Sequence, residues 1–366
     1  MFEQRLYRHL DWALLTAVLL LCGIGLLMIY STTYDPIRER VGSQFFTQLS
    51  AVGLGLIALT VVLLIDYRTL AGFAPVIFGL TALLLLYVLF FGVVAGGSRR
   101  WVSLGVFNLQ PSEFAKMASA LLLASWFGQD KLSAARTGDL AMAGGVLGIL
   151  FLLIAREPDL GSAVTLLPVL AGIAYAAGLR LRLIGYAVLV VVLLAPLGWM
   201  YGLQEYQKSR VVTFLDPSQD ARGAGYQQIQ ARITVGSGGL TGKGFLQGTQ
   251  GQYKFLPVAH NDFVYSVLAE EHGFLGVLVT LGLYLFVLAR SLEAARLARD
   301  RVGAYLVVGL VSCFAFQVIY NIAMSAGLAP VKGLTLPLMS YGGSSMIATL
   351  MSFGLILNVR MRRFVN

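Results

Sequence analysis

Long uninterrupted apolar runs dominate this chain, and they restrict it to one solvent. A run of about 17 to 25 residues with almost no charge is long enough to cross the hydrocarbon core of a bilayer as a helix. Ten such runs can be drawn, at roughly 12–30, 45–65, 70–91, 112–128, 140–155, 160–178, 183–202, 262–289, 303–328 and 340–358. The fifth and sixth are separated only by Arg156-Glu157-Pro158-Asp159. Composition agrees: 57% of the 366 residues are hydrophobic and 12% are charged, with a mean hydropathy of +0.77, far from a soluble domain. The expected fold is therefore an all-α polytopic membrane protein with ten transmembrane helices. It forms one domain over 1–366, with one large extracytoplasmic loop, 203–261, between helices 7 and 8.

Basic residues orient the spans, because cytoplasmic loops carry an excess of Lys and Arg. Fourteen of them fall on the side of both termini: Arg5, Arg8, Arg68, Lys131, Arg136, Arg180, Arg182, Arg290, Arg296, Arg299, Arg301, Arg360, Arg362 and Arg363. Six lie in the short loops of the other side: Arg38, Arg40, Arg99, Arg100, Arg156 and Lys332. Both termini are thus expected in the cytoplasm and the long loop outside. No cleavable signal is expected ahead of the first span. The net charge of +9 is largely explained by this asymmetry, so nucleic acid is not an expected partner.

The long loop is itself basic. Lys208, Arg210, Arg222, Arg232, Lys243 and Lys254 outnumber Glu205, Asp216 and Asp220, which suits either an anionic ligand such as a lipid pyrophosphate or simple solvation. Within it, Gly236-Ser237-Gly238-Gly239-Leu240-Thr241-Gly242-Lys243-Gly244 imitates a phosphate loop. The Walker pattern requires Gly where Ser237 stands and Ser or Thr where Gly244 stands, so no nucleotide site is read there. Its glycines are compatible with an anion cradle or with a flexible loop. Cys22 and Cys313 lie in apolar spans as small hydrophobes, and the three histidines form no ligand pair at helical spacing. The metal ligands, if any, are undefined, and a carboxylate-bound Mg²⁺ or Mn²⁺ stays open.

Under this topology five charges share one depth, at the outer ends of spans: Glu113, Lys116, Asp159, Asp262 and Lys332. Charge at such a depth is costly without a partner or a task. Glu113 and Lys116, three apart on a helix, either pair to join helices or line a polar cavity. Asp159 serves either the site or the N-cap of the sixth span. Asp262, in His260-Asn261-Asp262-Phe263, follows the basic loop directly and is the principal functional candidate, with an N-cap as its bland alternative. Glu270 and Glu271, deeper on the same span, are expected to support rather than react. Farther on, Gly333-Leu334-Thr335-Leu336-Pro337-Leu338-Met339-Ser340-Tyr341-Gly342-Gly343-Ser344-Ser345 reads as a broken entry into the last span, since Pro337 lacks a donor and the glycines permit a turn.

That stretch resembles the signature of the shape, elongation, division and sporulation (SEDS) family. Arg99-Arg100-Trp101, Gln110-Pro111-Ser112-Glu113-Phe114-Ala115-Lys116, Glu157-Pro158-Asp159-Leu160-Gly161, Phe214-Leu215-Asp216-Pro217 and the run from Gly225-Tyr226-Gln227 to Gly276 extend the likeness over the whole chain. The short N-terminal region and the wording around Thr335 to Ser340 are closer to RodA, the elongation member, than to the division member. Two departures stand out: Asn261 replaces the usual hydroxyl residue before Asp262, and Val258-Ala259 replaces a more familiar Pro-Glu-x before the histidine.

The resemblance implies a peptidoglycan glycosyltransferase in the bacterial cytoplasmic (inner) membrane. It would polymerise lipid II into β-1,4-linked glycan at the outer face, for cell elongation and rod shape. Asp262 would be the catalytic general base for the acceptor hydroxyl. Glu113, Lys116, Asp159, Trp101, Arg99, Arg210, Lys243, His260, Lys332 and Ser340 would bind substrate or support the site, with the cations, or a divalent metal, offsetting the departing pyrophosphate. Expected partners are lipid II and nascent glycan, a class B penicillin-binding protein as transpeptidase, and membrane proteins of the elongation machinery. A transporter (flippase) of lipid-linked precursors is the competing reading, and it would hold its charges near the midplane. A scaffold without catalysis is the third.

Overall fold

The computed structural model describes residues 9–35, 38–95, 98–103, 105, 108–129, 137–202, 205–220, 223–253 and 255–364. Arg5, Arg8, Lys131, Arg136, Arg222 and Lys254 of the charge count lie outside the described residues. The chain is mostly helical. It runs α1 (Trp12–Thr33), a short hairpin β1 (Tyr34–Asp35) and β2 (Arg40–Val41), α2 (Ser43–Leu64), α3 (Tyr67–Gly72) and α4 (Ala74–Phe91). A three-stranded antiparallel patch, β3 (Val93–Ala95), β4 (Ser98–Ser103) and β5 (Asn108–Leu109), precedes α5 (Pro111–Phe127), α6 (Thr137–Arg156), α7 (Leu160–Val164), α8 (Leu166–Ala176) and α9 (Leu181–Leu197). Then come α10 (Glu205–Leu215), α11 (Ala224–Ser237), α12 (Thr249–Gln252), α13 (Val264–Arg296), α14 (Arg301–Ser325) and α15 (Gly343–Met361).

Among the described residues seven helices are long and apolar enough to cross a membrane: α1, α2, α4, α6, α13, α14 and α15. The other three predicted spans coincide with α5 and α9, of 17 residues each, and with α7 and α8, which Thr165 divides into 5 and 11 residues. Many large apolar side chains of α1, α2, α4 and α9 face outward, as expected where lipid replaces water.

Small residues let the central helices approach. Gly55 of α2 meets Leu350 of α15, and a Cβ on Gly354 of α15 would lie 3.0 Å from the Leu59 carbonyl oxygen. Asn358 of α15 donates to the carbonyls of Val62 at 2.8 Å and Ile65 at 2.5 Å, satisfying the open end of α2. At the same end of α15, the buried Arg360 pairs with Asp11 at 2.6 Å.

The polar connection after α9 is not an irregular loop, because α10, α11 and α12 lie within it. Its glycine-rich stretch packs against α13. Gly273 of α13 adopts φ 64 and ψ −163, which breaks that helix, and residues 239–244 lie against the break. Lys243 and Gly244 donate to the carbonyls of Glu270 and Glu271 at 2.9 and 3.0 Å, and Phe274 and Leu275 donate back to Gly239 and Leu240 at 2.9 and 3.1 Å. Backbone groups freed by the interrupted helix thereby find partners.

Candidate functional site

Asp262 ends the polar connection, one residue before the N-cap of α13. That N-cap is Phe263, which makes no side-chain capping bond, so the N-cap reading of Asp262 fails. Its backbone is nevertheless fixed: its N–H donates to the Val258 carbonyl at 3.3 Å, and its own carbonyl accepts from Asn321 Nδ2 at 3.0 Å. The carboxylate is half-buried, and among the described residues it has no hydrogen bond or ion pair. Burial pushes its carboxyl up to about 6, against the pull of Arg210.

Next to it opens a cleft of about 80 Å³ lined by Arg100, Asp159, Gly161, Gln207, Arg210 and Lys332, among others. A Cβ on Gly333 would come 3.7 Å from Asp262 Oδ2, which puts the Lys332-Gly333 segment against the carboxylate. Lys332 is half-buried, and first burial and then the like charge of Arg210 hold its ammonium below the ordinary value. Neither cation has a carboxylate within ion-pair distance among the described residues. Two neighbouring cations with no carboxylate in ion-pair contact give this wall of the cleft a positive potential, which would favour an anion.

Asp159 closes another wall. It is the N-cap of α7, accepting from the Ser162 N–H at 3.1 Å, and it also takes Ser162 Oγ at 2.8 Å and Gln110 Nε2 at 3.1 Å. Arg100 lies 3.7 Å from its Oδ2 and donates to the Glu157 and Pro158 carbonyls at 3.1 and 2.5 Å. Asp159 therefore both caps a helix and orients a cleft cation. Beside it Glu157 is buried with both carboxyl oxygens unpartnered, and burial pushes it up to about 8.

The remaining predicted residues separate. Glu113 and Lys116 are buried and pair at 2.7 Å in a second cavity, with Cys313, Gln317 and Ser352 in its wall. Lys243 turns to the fully buried Glu270 at 2.6 Å, which also accepts from the Thr249 N–H at 3.1 Å. His260 sets its ring edge-on to Tyr341 at 5.5 Å, and its carbonyl accepts the Tyr341 N–H. Ser340 is buried in a turn and accepts from the Leu336 N–H at 2.9 Å. Trp101 is half-buried opposite Val93, whereas Arg99 is exposed and donates to the Phe90 carbonyl at 3.0 Å.

Arg100, not Arg99, therefore reaches the cleft. Neighbours on a strand point to opposite faces, and hydropathy carries no sign of which face the cleft occupies. Asn321 was also missed by sequence reasoning. A lone Asn in the apolar run 303–328 is a signal, though one shared with Gln317.

Comparison with known proteins agrees along the whole chain. The FtsW/RodA/SpoVE model, described as cell cycle protein, matches residues 12–364. Peptidoglycan glycosyltransferase MrdB of Escherichia coli (strain K12) is 38% identical over 362 residues, covering 97% of this chain and 94% of that protein. Stage V sporulation protein E of Bacillus subtilis (strain 168) is 37% identical, covering 95% of this chain and 96% of its own. A chain in a structure described as the structural coordination of polymerization and crosslinking by a peptidoglycan synthase complex superimposes with a TM-score of 0.84 at 32% identity, over 98% of this chain and 99% of that one. The rod shape determining protein RodA of Thermus thermophilus gives a TM-score of 0.73 at 30% identity, over 98% of each chain.

Proposed function

The chain belongs to the FtsW/RodA/SpoVE family, and from that premise we infer that it is a peptidoglycan glycosyltransferase that polymerises lipid II. The observation that carries this reading is the unpartnered carboxylate of Asp262 beside a cleft whose Arg210 and Lys332 also lack an acidic partner. An acceptor sugar needs a base, and a leaving pyrophosphate needs positive charge. Here the two stand side by side.

In the reaction, Asp262 takes the proton of the GlcNAc 4-hydroxyl as that oxygen bonds to the donor's anomeric carbon. The bond from that carbon to the prenyl pyrophosphate breaks on the opposite side, and inversion yields the β-1,4 link. A carboxyl at about 6 is mostly ionised at neutral pH yet more basic than an ordinary aspartate. Arg100, Arg210 and Lys332 meet the charge that develops on the pyrophosphate, with Asp159 orienting Arg100.

Among the described residues no three acidic, histidine or cysteine side chains gather as a metal cage. That set fits a resident metal poorly. A Mg²⁺ or Mn²⁺ arriving with the pyrophosphate would find Asp262 as one carboxylate ligand, the mode Mg²⁺ commonly adopts.

The ten-span topology completes the picture: both termini in the cytoplasm of a bacterial inner membrane, and the 203–261 connection and its cleft at the outer face. Adjacent predicted spans joined by short links support it, as does the outward apolar surface of α9. The solved relative described with both polymerization and crosslinking supports a class B penicillin-binding protein as partner, and RodA and MrdB among the relatives support an elongation role.

The test is glycan polymerisation from purified lipid II by the full chain with its partner, the transpeptidase blocked, comparing wild type with Asp262→Ala. Loss of polymer in a folded, partnered variant supports the base. Equal polymer from both removes it, and no polymer from either returns the lipid-precursor transporter to first place.

A further inference from the structure

Asn321 is fully buried in α14, and its side-chain nitrogen donates twice. One bond reaches the carbonyl of Asp262 at 3.0 Å and the other the carbonyl of Leu334 at 2.7 Å. Two carbonyl acceptors fix which end of the amide is nitrogen, because the oxygen in that place would face both of them. One residue earlier, the Tyr320 hydroxyl donates to the Pro330 carbonyl at 2.9 Å. Neighbouring residues of one helix thus hold both ends of the segment that carries Lys332, and one of them holds Asp262 as well.

We propose that Asn321 is a positioning residue that sets the Asp262 carboxylate and the Lys332 ammonium in register across the cleft. The proposal rests on the reading of Asp262 as base and Lys332 as pyrophosphate cation. The two groups come from segments about seventy residues apart, and neither has a side-chain bond to the other. Their separation must be set through the backbone. A planar amide with both hydrogens engaged is a short, stiff link between the two strands of chain. Because Asn321 is fully buried and its amide donates to two backbone carbonyls, its effect must appear as misplacement of the groups it holds.

The experiment uses the full chain with its penicillin-binding partner, transpeptidase blocked, and purified lipid II as probe. Turnover per folded molecule, KM and the pH profile are measured for wild type, Asn321→Leu, Asn321→Ser and Asp262→Ala. Leu keeps the branched outline of Asn, is bulkier, and has no donor. The expected result is a fall in kcat of about 10²-fold for Asn321→Leu, as for displacement of a reacting group by an ångström, with KM little changed. The acid limb of its pH profile should also move from the wild-type position, which a merely structural role would not produce. Should Asn321→Leu fail to fold, Asn321→Ser decides, since its single short hydroxyl cannot reach both carbonyls. Unchanged kcat and pH profile in a folded Asn321 variant, with Asp262→Ala inactive, overturn the clamp and leave the base standing. Full activity in Asp262→Ala overturns both.

Discussion

Gly242 and Gly273 meet backbone to backbone: a Cβ on Gly273 would lie 2.2 Å from the Gly242 nitrogen, and one on Gly242 2.2 Å from the Glu271 carbonyl oxygen. No other residue type fits at either place. The contact fastens the polar connection to the break in α13, nine to eleven residues beyond Asp262, and with it the orientation of that helix's N-terminal end. Gly273→Ala is therefore expected to destabilise the fold by more than the 1–3 kcal/mol typical of a strained backbone conformation, because a steric clash is added to φ 64. A thermal unfolding curve in detergent or nanodiscs checks this, and an unchanged midpoint would show that the chain can separate here at no cost.

The pH dependence of polymerisation should carry the signature of Asp262. Its carboxyl stands at about 6, so the ionised base is nearly complete at pH 7 and is lost as pH falls through 6, tenfold per unit once well below it. Arg210 pulls in the other direction, so Arg210→Gln should move the acid limb of kcat/KM upward. A limb that ignores Arg210 would assign the titration to another group.

Charge removal should distinguish two adjacent arginines. Arg100→Gln and Lys332→Met each remove a cation from the cleft and are expected to cost about 10²-fold in kcat, the scale of one lost electrostatic donor at a transition state. Arg99→Gln removes only an exposed bond to a carbonyl and should cost far less. Turnover assays with lipid II compare the three, and an Arg99 effect as large as that of Arg100 would contradict the strand's facing.

Glu157 should act on stability. Its folded value is raised to about 8, so between about 4.5 and 8 the unfolded chain gives up a proton that the folded chain keeps, and stability falls as pH rises through that window. Glu157→Gln removes this penalty. Its unfolding midpoint should match wild type near pH 5 and exceed it at pH 9, and a variant less stable than wild type at pH 9 would reveal an anionic role for the carboxylate.

Helices are legible in this sequence because membrane insertion is a local, additive property of some twenty consecutive residues, and the apolar runs state it outright. Asp262, the proposed base, draws attention for a related reason, a charge at the end of such a run beside a basic connection. The Glu113–Lys116 pair followed from helical spacing alone.

Residue order alone thus specifies a multi-pass helical membrane protein, its family, and a carboxylate that needs a reason to be where it is. Which groups surround that carboxylate depends on packing in three dimensions. Lys243 belongs to Glu270, Ser340 to its own turn, and Arg100 rather than Arg99 to the cleft, while Asn321 joins two segments far apart in the chain. Those choices depend on how each helix is rotated and on contacts across tens to hundreds of residues. Hydropathy measures whether a helix enters the bilayer and is nearly silent on which way its side chains then face.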